Sequence, residues 1–383
     1  MTTRTKGSSL SIRNLGISLG LSGGVLAFVA YKTWEPGAFS SIGDSFSYLF
    51  AGLALLMVAL RFLLGGMRLA QASHGHFDLR QGVKGQLAWD FFSSVTPSVI
   101  GGGPLAALFM SREAKISAGE STAIYLFLMF LDQIFFALTV PIILGAALLL
   151  PVFPETVGTV GTAAFAVYFL AMMTWLGIFG YSTVFRPELL ERFLNRIFRL
   201  PFLKRFQSKV RNELASMRER STVIRGETAK FFARAFLLTC CSWLVKHLLV
   251  VFVILTVVRP VDPVVTTLRS MAMTIGALIM PTPGGSGGVE ALYALFFGPL
   301  MPKAMLAPTM LMWRLLGYYI YIALGAVLTL SYVKTTQNRD PGPNTGEPGI
   351  EQQVLTDAEL DSLPQPENAA DVSVDPASGR QSE

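Results

Sequence analysis

Long apolar blocks of roughly 18 or more residues recur along most of this chain, and this feature limits its fold more than any other. Apolar residues make up 52% of the sequence and charged residues 15%, whereas an ordinary soluble domain has about 25% charged residues. The apolar residues stand in continuous blocks, so a single soluble core could not bury them. The sequence therefore predicts an all-α, polytopic membrane protein and excludes a soluble domain.

Six of the apolar blocks are continuous and predict full membrane spans. These spans lie near Leu15–Tyr31, Ser45–Gly66, Ser121–Leu150, Gly161–Val184, Ala235–Val258 and Pro308–Val333. Two further blocks, Trp89–Met110 and Leu268–Gly298, are interrupted in the middle by Gly and Pro. Arg4, Lys6 and Arg13 before the first span would suit a signal peptide, but no cleavage site of small residues follows it. We therefore expect the first span to be a retained anchor.

The distribution of Lys and Arg predicts the topology, because cytoplasmic loops are enriched in these residues. We place the N-terminus inside and treat each interrupted block as a re-entrant hairpin that enters and leaves on one face. This arrangement puts 24 of the 31 Lys and Arg residues in the cytoplasm, Arg68 among them, with four outside or at the outer edge and three within spans. Two further full crossings would instead place basic loops on both sides. The chain is thus expected in a bacterial inner membrane with both termini cytoplasmic.

The segments outside the spans have distinct compositions. Residues 1–14 are predicted to form a cytoplasmic segment, and residues 15–334 the transmembrane domain. The basic loop 185–234 mixes cations with Phe, so it suits either an amphipathic helix in the headgroup plane or a solvated linker. Residues 335–383 predict a disordered acidic cytoplasmic tail, because Asp340 to Glu383 contains ten acidic residues and one Arg and few groups that could form a core.

The order of spans and interrupted blocks occurs twice, in residues 15–150 and again in residues 161–333. Each repeat would have three full spans and one hairpin, and an odd number of spans turns the second repeat upside down. The interruptions are similar: Thr96 leads to Pro97, Gly101, Gly102, Gly103 and Pro104, and Thr282 leads to Pro283, Gly284, Gly285, Gly287 and Gly288. Inverted repeats with interrupted helices are a common plan of transporters, with the substrate between the halves.

The glycine turns are candidate binding elements for physical reasons. An unwound segment leaves backbone N–H and C=O groups unpaired, so inside a membrane it must face protein or a wet cavity. Glycines permit such turns and let a ligand approach the backbone. The helix start after the turn offers free N–H donors to an anion such as a phosphate.

The second interruption also carries a family motif. The segment from Met280 to Leu292 reads MPTPGGSGGVEAL, and the segment from Met312 to Tyr319 reads MWRLLGYY. This pattern resembles the lysylphosphatidylglycerol synthase transmembrane region, also called the flippase-like domain family, over residues 15 to 333. The first half resembles the family less closely, since Gln133 follows Asp132 where relatives often have Arg. No soluble transferase domain follows the spans, so the resemblance implies lipid transport rather than lipid aminoacylation.

Ionisable residues within the spans are the candidate site residues, because each costs about 2.5–3.5 kcal/mol on insertion scales. The predicted headgroup-binding residues are Arg314, Lys246, Glu290, Arg61 and Asp132. Arg binds a phosphate as a bidentate fork and Lys as a point charge. The alternative is that these residues form internal ion pairs that stabilise helix packing.

These observations favour a flippase-type transporter of an anionic phospholipid or lipid-linked headgroup. Two alternatives stay open: a non-transporting scaffold or regulator of a separate lipid-modifying enzyme, and a membrane-embedded lipid-headgroup enzyme with Glu290 as its base. No ATP-binding or common hydrolase motif occurs. His74 and His76 lack a third ligand nearby, so no metal, other cofactor or nucleic-acid partner is expected.

Overall fold

The computed structural model describes residues 7–33, 43, 45–96, 102–180, 207–278, 280 and 282–337, and the regular elements within them are all helices. The α-helices are α1 (Gly7–Thr33), α2 (Tyr48–Ala72), α3 (Leu79–Val95), α4 (Gly102–Glu113), α5 (Ala118–Ala146), α6 (Gly158–Gly180), α7 (Gln207–Arg225), α8 (Ala229–Val257), α9 (Pro263–Ala277), α10 (Gly288–Phe297), α11 (Lys303–Arg314) and α12 (Ile320–Gln337). A π-helical turn, Leu315–Tyr319, joins α11 to α12. Short 3₁₀ turns occupy Glu155–Val157 and Gly298–Leu300.

Four of the described helices are long and apolar enough to cross a membrane, which confirms the predicted polytopic helical fold. They are α2, α5, α8 and the continuous run Lys303–Leu328 through α11 and the π turn into α12. The first and fourth predicted spans fall on α1 and α6, whose apolar stretches Leu19–Thr33 and Ala163–Trp175 are shorter. The inverted relation of the two halves stays a prediction.

Helix α2 lies at the centre of the packing, because it contacts α8 most extensively and α3 next. Glycines allow the close approach of α2 to α3. A Cβ added at Gly82 would lie 2.2 Å from the carbonyl oxygen of Gly66, and one at Gly66 would lie 2.5 Å from Val83 Cγ2. Inside a membrane no hydrophobic effect drives helices together. Small residues at a helix contact instead let the two backbones approach closely and pack well.

Helix α3 begins at Leu79, ahead of the apolar block predicted from Trp89, because a capping box stabilises its first turn. The Asp78 carboxylate accepts a hydrogen bond from the Gln81 backbone N–H at 2.6 Å, and the Gln81 side chain accepts one from the Asp78 N–H at 3.0 Å. This arrangement satisfies two backbone donors that the helix itself cannot. Polar residues that hydropathy assigns to a loop thus extend the helix.

Each interrupted block forms two helices that pack against each other, α3 with α4 and α9 with α10. Pro97 and Gly101 lie outside the described residues, while Gly102, Gly103 and Pro104 form the first turn of α4. In the second block, Pro283 lies in the turn before α10 and Gly288 begins that helix; Gly284, Gly285 and Gly287 have φ angles of 59°, 69° and 86°. These positive φ angles favour glycine. Whether either block enters and leaves on one face of the membrane stays a prediction.

The helix that contains the second predicted span is longer than that span. Helix α2 continues to Ala72 rather than ending at Gly66, so Arg68 lies within the helix and is only 4% exposed. Arg68 therefore lies on a helix rather than in a loop, and the side of the membrane to which it is closer stays a prediction. Its charge is stabilised by a carboxylate on another helix, which hydropathy along one segment cannot reveal.

The basic loop 185–234 is described only in part. Residues 181–206, which contain most of its Phe, lie outside the described residues, as do residues 338–383 of the predicted tail. The last part of the loop forms α7, which packs on α5 and buries Met217, Arg220 and Ile224. These positions recur at helical spacing, so one face of α7 contacts protein.

Candidate functional site

Two adjoining cavities lie between the helices of the bundle, with volumes of about 110 and 130 Å³. Both are lined by Arg61, Asp90, Ser93, Trp243, Lys246 and Leu278. The first cavity continues to Arg68 and Asp132, and the second to Arg314 and Tyr318. Side chains from α2, α3, α5, α8 and α11 therefore surround one charged region inside the helix bundle.

The first ion pair, Arg61 with Asp90, joins α2 to α3 and faces both cavities. Arg61 Nη2 donates a hydrogen bond of 2.8 Å to Asp90 Oδ1, and Gln86 Nε2 donates one of 3.1 Å to Asp90 Oδ2. The Arg61 guanidinium also lies 5.5 Å from the centre of the Tyr321 ring. Arg61 Nε has no acceptor within the described part of the chain.

The second ion pair is built around Asp132 and joins three helices. Asp132 on α5 accepts a hydrogen bond from Arg68 Nη1 on α2 and another, 2.8 Å long, from Trp243 Nε1 on α8. The Arg68 guanidinium lies 5.4 Å from the Trp89 ring centre. Asp132 thus has two hydrogen-bond donors, and one of them, Arg68, is also its counter-charge.

The third ion pair lies behind the second cavity and includes Glu290, which is fully buried. Arg314 Nη2 is 2.8 Å from Glu290 Oε1, a charge contact whose angle is not that of a hydrogen bond. Glu290 accepts hydrogen bonds from Ser22 Oγ at 2.5 Å and from the Gly287 backbone N–H at 2.7 Å. A carboxylate in the first turn of α10 also interacts favourably with the helix dipole.

Lys246 differs from the three arginines because no carboxylate lies within 4.0 Å of it in the part of the chain that the structure describes. Its Nζ lies 4.5 Å from the centre of the Trp243 ring, one turn earlier on α8. Lys246 lines both cavities and is partly exposed. The ammonium group is therefore available to a ligand from either cavity.

The structure brings most of the predicted site residues together. Arg61, Lys246, Asp132 and Arg314 line the adjoining cavities, while Glu290 lies behind Arg314. The ion pairs predicted as the alternative role are present, and headgroup binding by these residues stays a prediction. Of the predicted glycine-turn residues that the structure describes, only Gly284 lines either cavity. Their role in headgroup binding stays a prediction.

Sequence reasoning missed four residues of this region. Asp90 stands in an apolar block and could have been found by the same signal as Asp132. Arg68 was assigned to a loop because it follows the apolar run. Trp243 and Ser22 carry no charge, so only their contacts with Asp132 and Glu290 identify them.

The two histidines of the α2–α3 loop pair with carboxylates away from the cavities. His74 Nδ1 lies 3.3 Å from a Glu227 oxygen, and His76 Nε2 lies 3.2 Å from a Glu120 oxygen. Burial lowers the pKa of His74 below its ordinary value. The described residues contain no group of three His, Cys, Asp or Glu residues that could bind a metal ion.

The residues that line the two cavities fall within a stretch of the chain that is similar to known proteins. The family described as the lysylphosphatidylglycerol synthase TM region matches residues 15–325. A relative from Archaeoglobus fulgidus, called a UPF0104 membrane protein, is 24% identical over 246 residues. That alignment covers 62% of this chain and 71% of the relative. The family match includes every residue that lines the two cavities.

Proposed function

Because this chain belongs to the lysylphosphatidylglycerol synthase TM region family, we propose that it is a flippase-type transporter that moves the headgroup of an anionic lipid across the inner membrane. The observation that carries the proposal is the pair of adjoining charged cavities within the helix bundle. Charged side chains are expensive in hydrocarbon and mark polar pathways when they face an interior cavity.

The position of the cavities suits passage between two halves. Helices α2, α3 and α5 from the first predicted repeat and α8 and α11 from the second supply the charged lining. In transporters built from inverted repeats, substrate binds at the interface and the halves rock around it. The Arg and Lys side chains would bind the headgroup while the acyl chains stay in the surrounding lipid.

The helices of the interrupted blocks are mostly too short to cross a membrane, which supports half-crossing hairpins of the kind that alternating access uses. A crossing takes about 20 helical residues, whereas α4, α9 and α10 have 12, 15 and 10 residues and α3 has 17. Half-crossing hairpins bring turns and helix starts to the middle of the membrane, where a headgroup must pass. Gly284 in the second turn already lines a cavity. The sequence contains no nucleotide-binding motif, so we propose that an ion gradient or lipid exchange drives transport.

Transport in vesicles tests this proposal. The purified protein is reconstituted with a fluorescent anionic phospholipid, and a membrane-impermeant quencher reports how fast the label changes leaflet. Lys246→Glu should slow protein-dependent translocation about tenfold or more, because it places an anion where the headgroup binds. The matched control, Lys303→Glu, changes an exposed residue at the start of α11 and should transport as the wild type does.

Two results would count against this proposal. A folded wild-type protein that moves no lipid, yet co-purifies with a lipid-modifying enzyme, would support the non-transporting alternative. Equal rates for wild type and Lys246→Glu would remove Lys246 from the transport site.

A further inference from the structure

The charges around the two cavities do not balance. The cations are Arg61, Arg68, Lys246 and Arg314, and the carboxylates are Asp90, Asp132 and Glu290. Each carboxylate pairs with one arginine. Lys246 has no such partner in the described chain, so the region carries one net positive charge with all seven groups ionised.

A surplus charge in an apolar bundle favours a ligand that cancels it. Burying an uncompensated charge is costly, and a charge of opposite sign removes much of that cost. A ligand with one negative charge brings the region to neutrality. A dianion would leave one negative charge behind, and a zwitterion would leave the positive charge uncancelled.

The positions of the groups favour the same ligand charge. The ammonium of Lys246 is a compact point charge with three donors, and it lines both cavities beside Asp90. Asp90 and Asp132 flank the region and repel a second negative charge. The three guanidinium groups are already held by carboxylates, so they contribute less free positive charge to a ligand.

We propose that this region selects a group with one net negative charge, such as a phosphodiester, over a phosphomonoester dianion and over a zwitterion. The inference rests on the proposed function only in treating the ligand as a lipid headgroup. Charge selection is a property of binding, so it can be measured without transport.

Binding to the full-length protein in neutral detergent tests the proposal. Three lipids with identical acyl chains are titrated at pH 7 and bound lipid is counted by native mass spectrometry: phosphatidylglycerol, phosphatidic acid and phosphatidylethanolamine. At this pH a phosphomonoester carries about 1.5 to 2 negative charges. We expect phosphatidylglycerol to bind about tenfold more tightly than either of the others. Soluble glycerophosphoglycerol, added as a competitor, distinguishes a site for the phosphodiester alone from one that needs the lipid chains.

Charge-altering variants distinguish a Lys246 that selects the ligand by its charge from a Lys246 that only packs within the bundle. Lys246→Met removes the surplus charge and should weaken phosphatidylglycerol binding about tenfold, whereas Lys246→Arg should keep the preference. Asp90→Asn raises the net charge by one and should shift the preference toward phosphatidic acid. The double variant Lys246→Met/Asp90→Asn restores one net positive charge, now on Arg61, and should recover much of the original preference. Lys303→Met is the control outside the cavities.

Two results would overturn the inference: wild-type preference in folded Lys246→Met, or loss of preference in folded Lys246→Arg. If the Asp90 variants do not fold, the comparison of Lys246→Met with Lys246→Arg is sufficient to test the charge selection. Failure of the two proposals can be told apart. Charge-selective binding without translocation contradicts the transport proposal only, and translocation of all three lipids with equal binding contradicts the charge selection only.

Discussion

At the scale of single residues, Glu290 shows how a charged side chain is stabilised deep in an apolar bundle. It is fully buried, and its partners come from three parts of the chain: Ser22 on α1, the Gly287 N–H in the turn before α10, and Arg314 on α11. Ser22 also contacts the Tyr319 hydroxyl at 2.7 Å. These contacts attach the second interrupted block to α1 and to the π turn.

Replacing Glu290 should therefore destabilise the protein strongly. Glu290→Gln leaves the buried Arg314 without its counter-charge, and breaking a buried pair in this way costs about 3–5 kcal/mol. Equilibrium unfolding in mixed detergent micelles measures the change. Glu155→Gln, at an exposed position, is the matched control and should leave the unfolding free energy unchanged. A loss below about 1 kcal/mol for Glu290→Gln would show that the pair contributes little.

At the scale of helices, close contacts at glycine decide which side chains can meet. The Arg61–Asp90 pair joins α2 and α3, and the same two helices touch where Gly66 meets Val83 and Gly82. A larger residue at this crossing would separate the helices and pull the pair apart. The π turn has a related effect, because it places the Tyr318 hydroxyl 3.3 Å from Ser286 Oγ beside the glycine turn. π turns inside helices are frequent at functional sites.

The α2–α3 contact can be tested within one helix. Gly66→Ala puts a Cβ 2.5 Å from Val83 Cγ2 and 2.8 Å from the Val83 backbone nitrogen, so we expect a loss of about 1–3 kcal/mol in the unfolding free energy. Gly52→Ala in the same helix meets nothing within 4 Å and should be neutral or slightly stabilising. The same unfolding measurement compares the two. Equal stability of the two variants would mean that α2 and α3 move apart without cost.

At the scale of the whole molecule, the described helices have the lengths of a membrane bundle, and their orientation is a prediction from charge. That prediction places the start of α3 in the cytoplasm and the start of α11 outside. Arg80 and Lys303 are exposed at these two positions.

Single cysteines at these two positions test the orientation. In a background with Cys240 and Cys241 replaced by Ala, an impermeant maleimide added to intact cells should label Lys303→Cys and spare Arg80→Cys. Labelling of both should occur after the cells are permeabilised. Labelling of Arg80→Cys in intact cells would contradict the hairpin topology, because that residue would then lie outside.

Most of the charged residues around the cavities could be predicted from the sequence, because the criterion applies to each residue without knowledge of its contacts. A charged group in an apolar block is costly whatever its partner, so Arg61, Asp132, Lys246 and Arg314 were identifiable before any contact was known. Asp90 satisfies the same criterion. Arg68 was assigned to a loop because its helix extends beyond the apolar run. Asp132, the partner whose charge compensates the burial of Arg68, is 64 residues away in the chain.

The sequence by itself determined that this protein is a bundle of membrane helices with charged residues inside, because both properties depend on the local cost of placing side chains in hydrocarbon. Only the tertiary structure decided which charges are paired. Ion pairs and hydrogen bonds form between atoms a few ångströms apart, and that proximity depends on how distant helices pack. Within the described part of the chain, each of the three arginines contacts a carboxylate, whereas Lys246 contacts the face of Trp243 and no carboxylate. That difference underlies the proposed selection of a singly charged ligand.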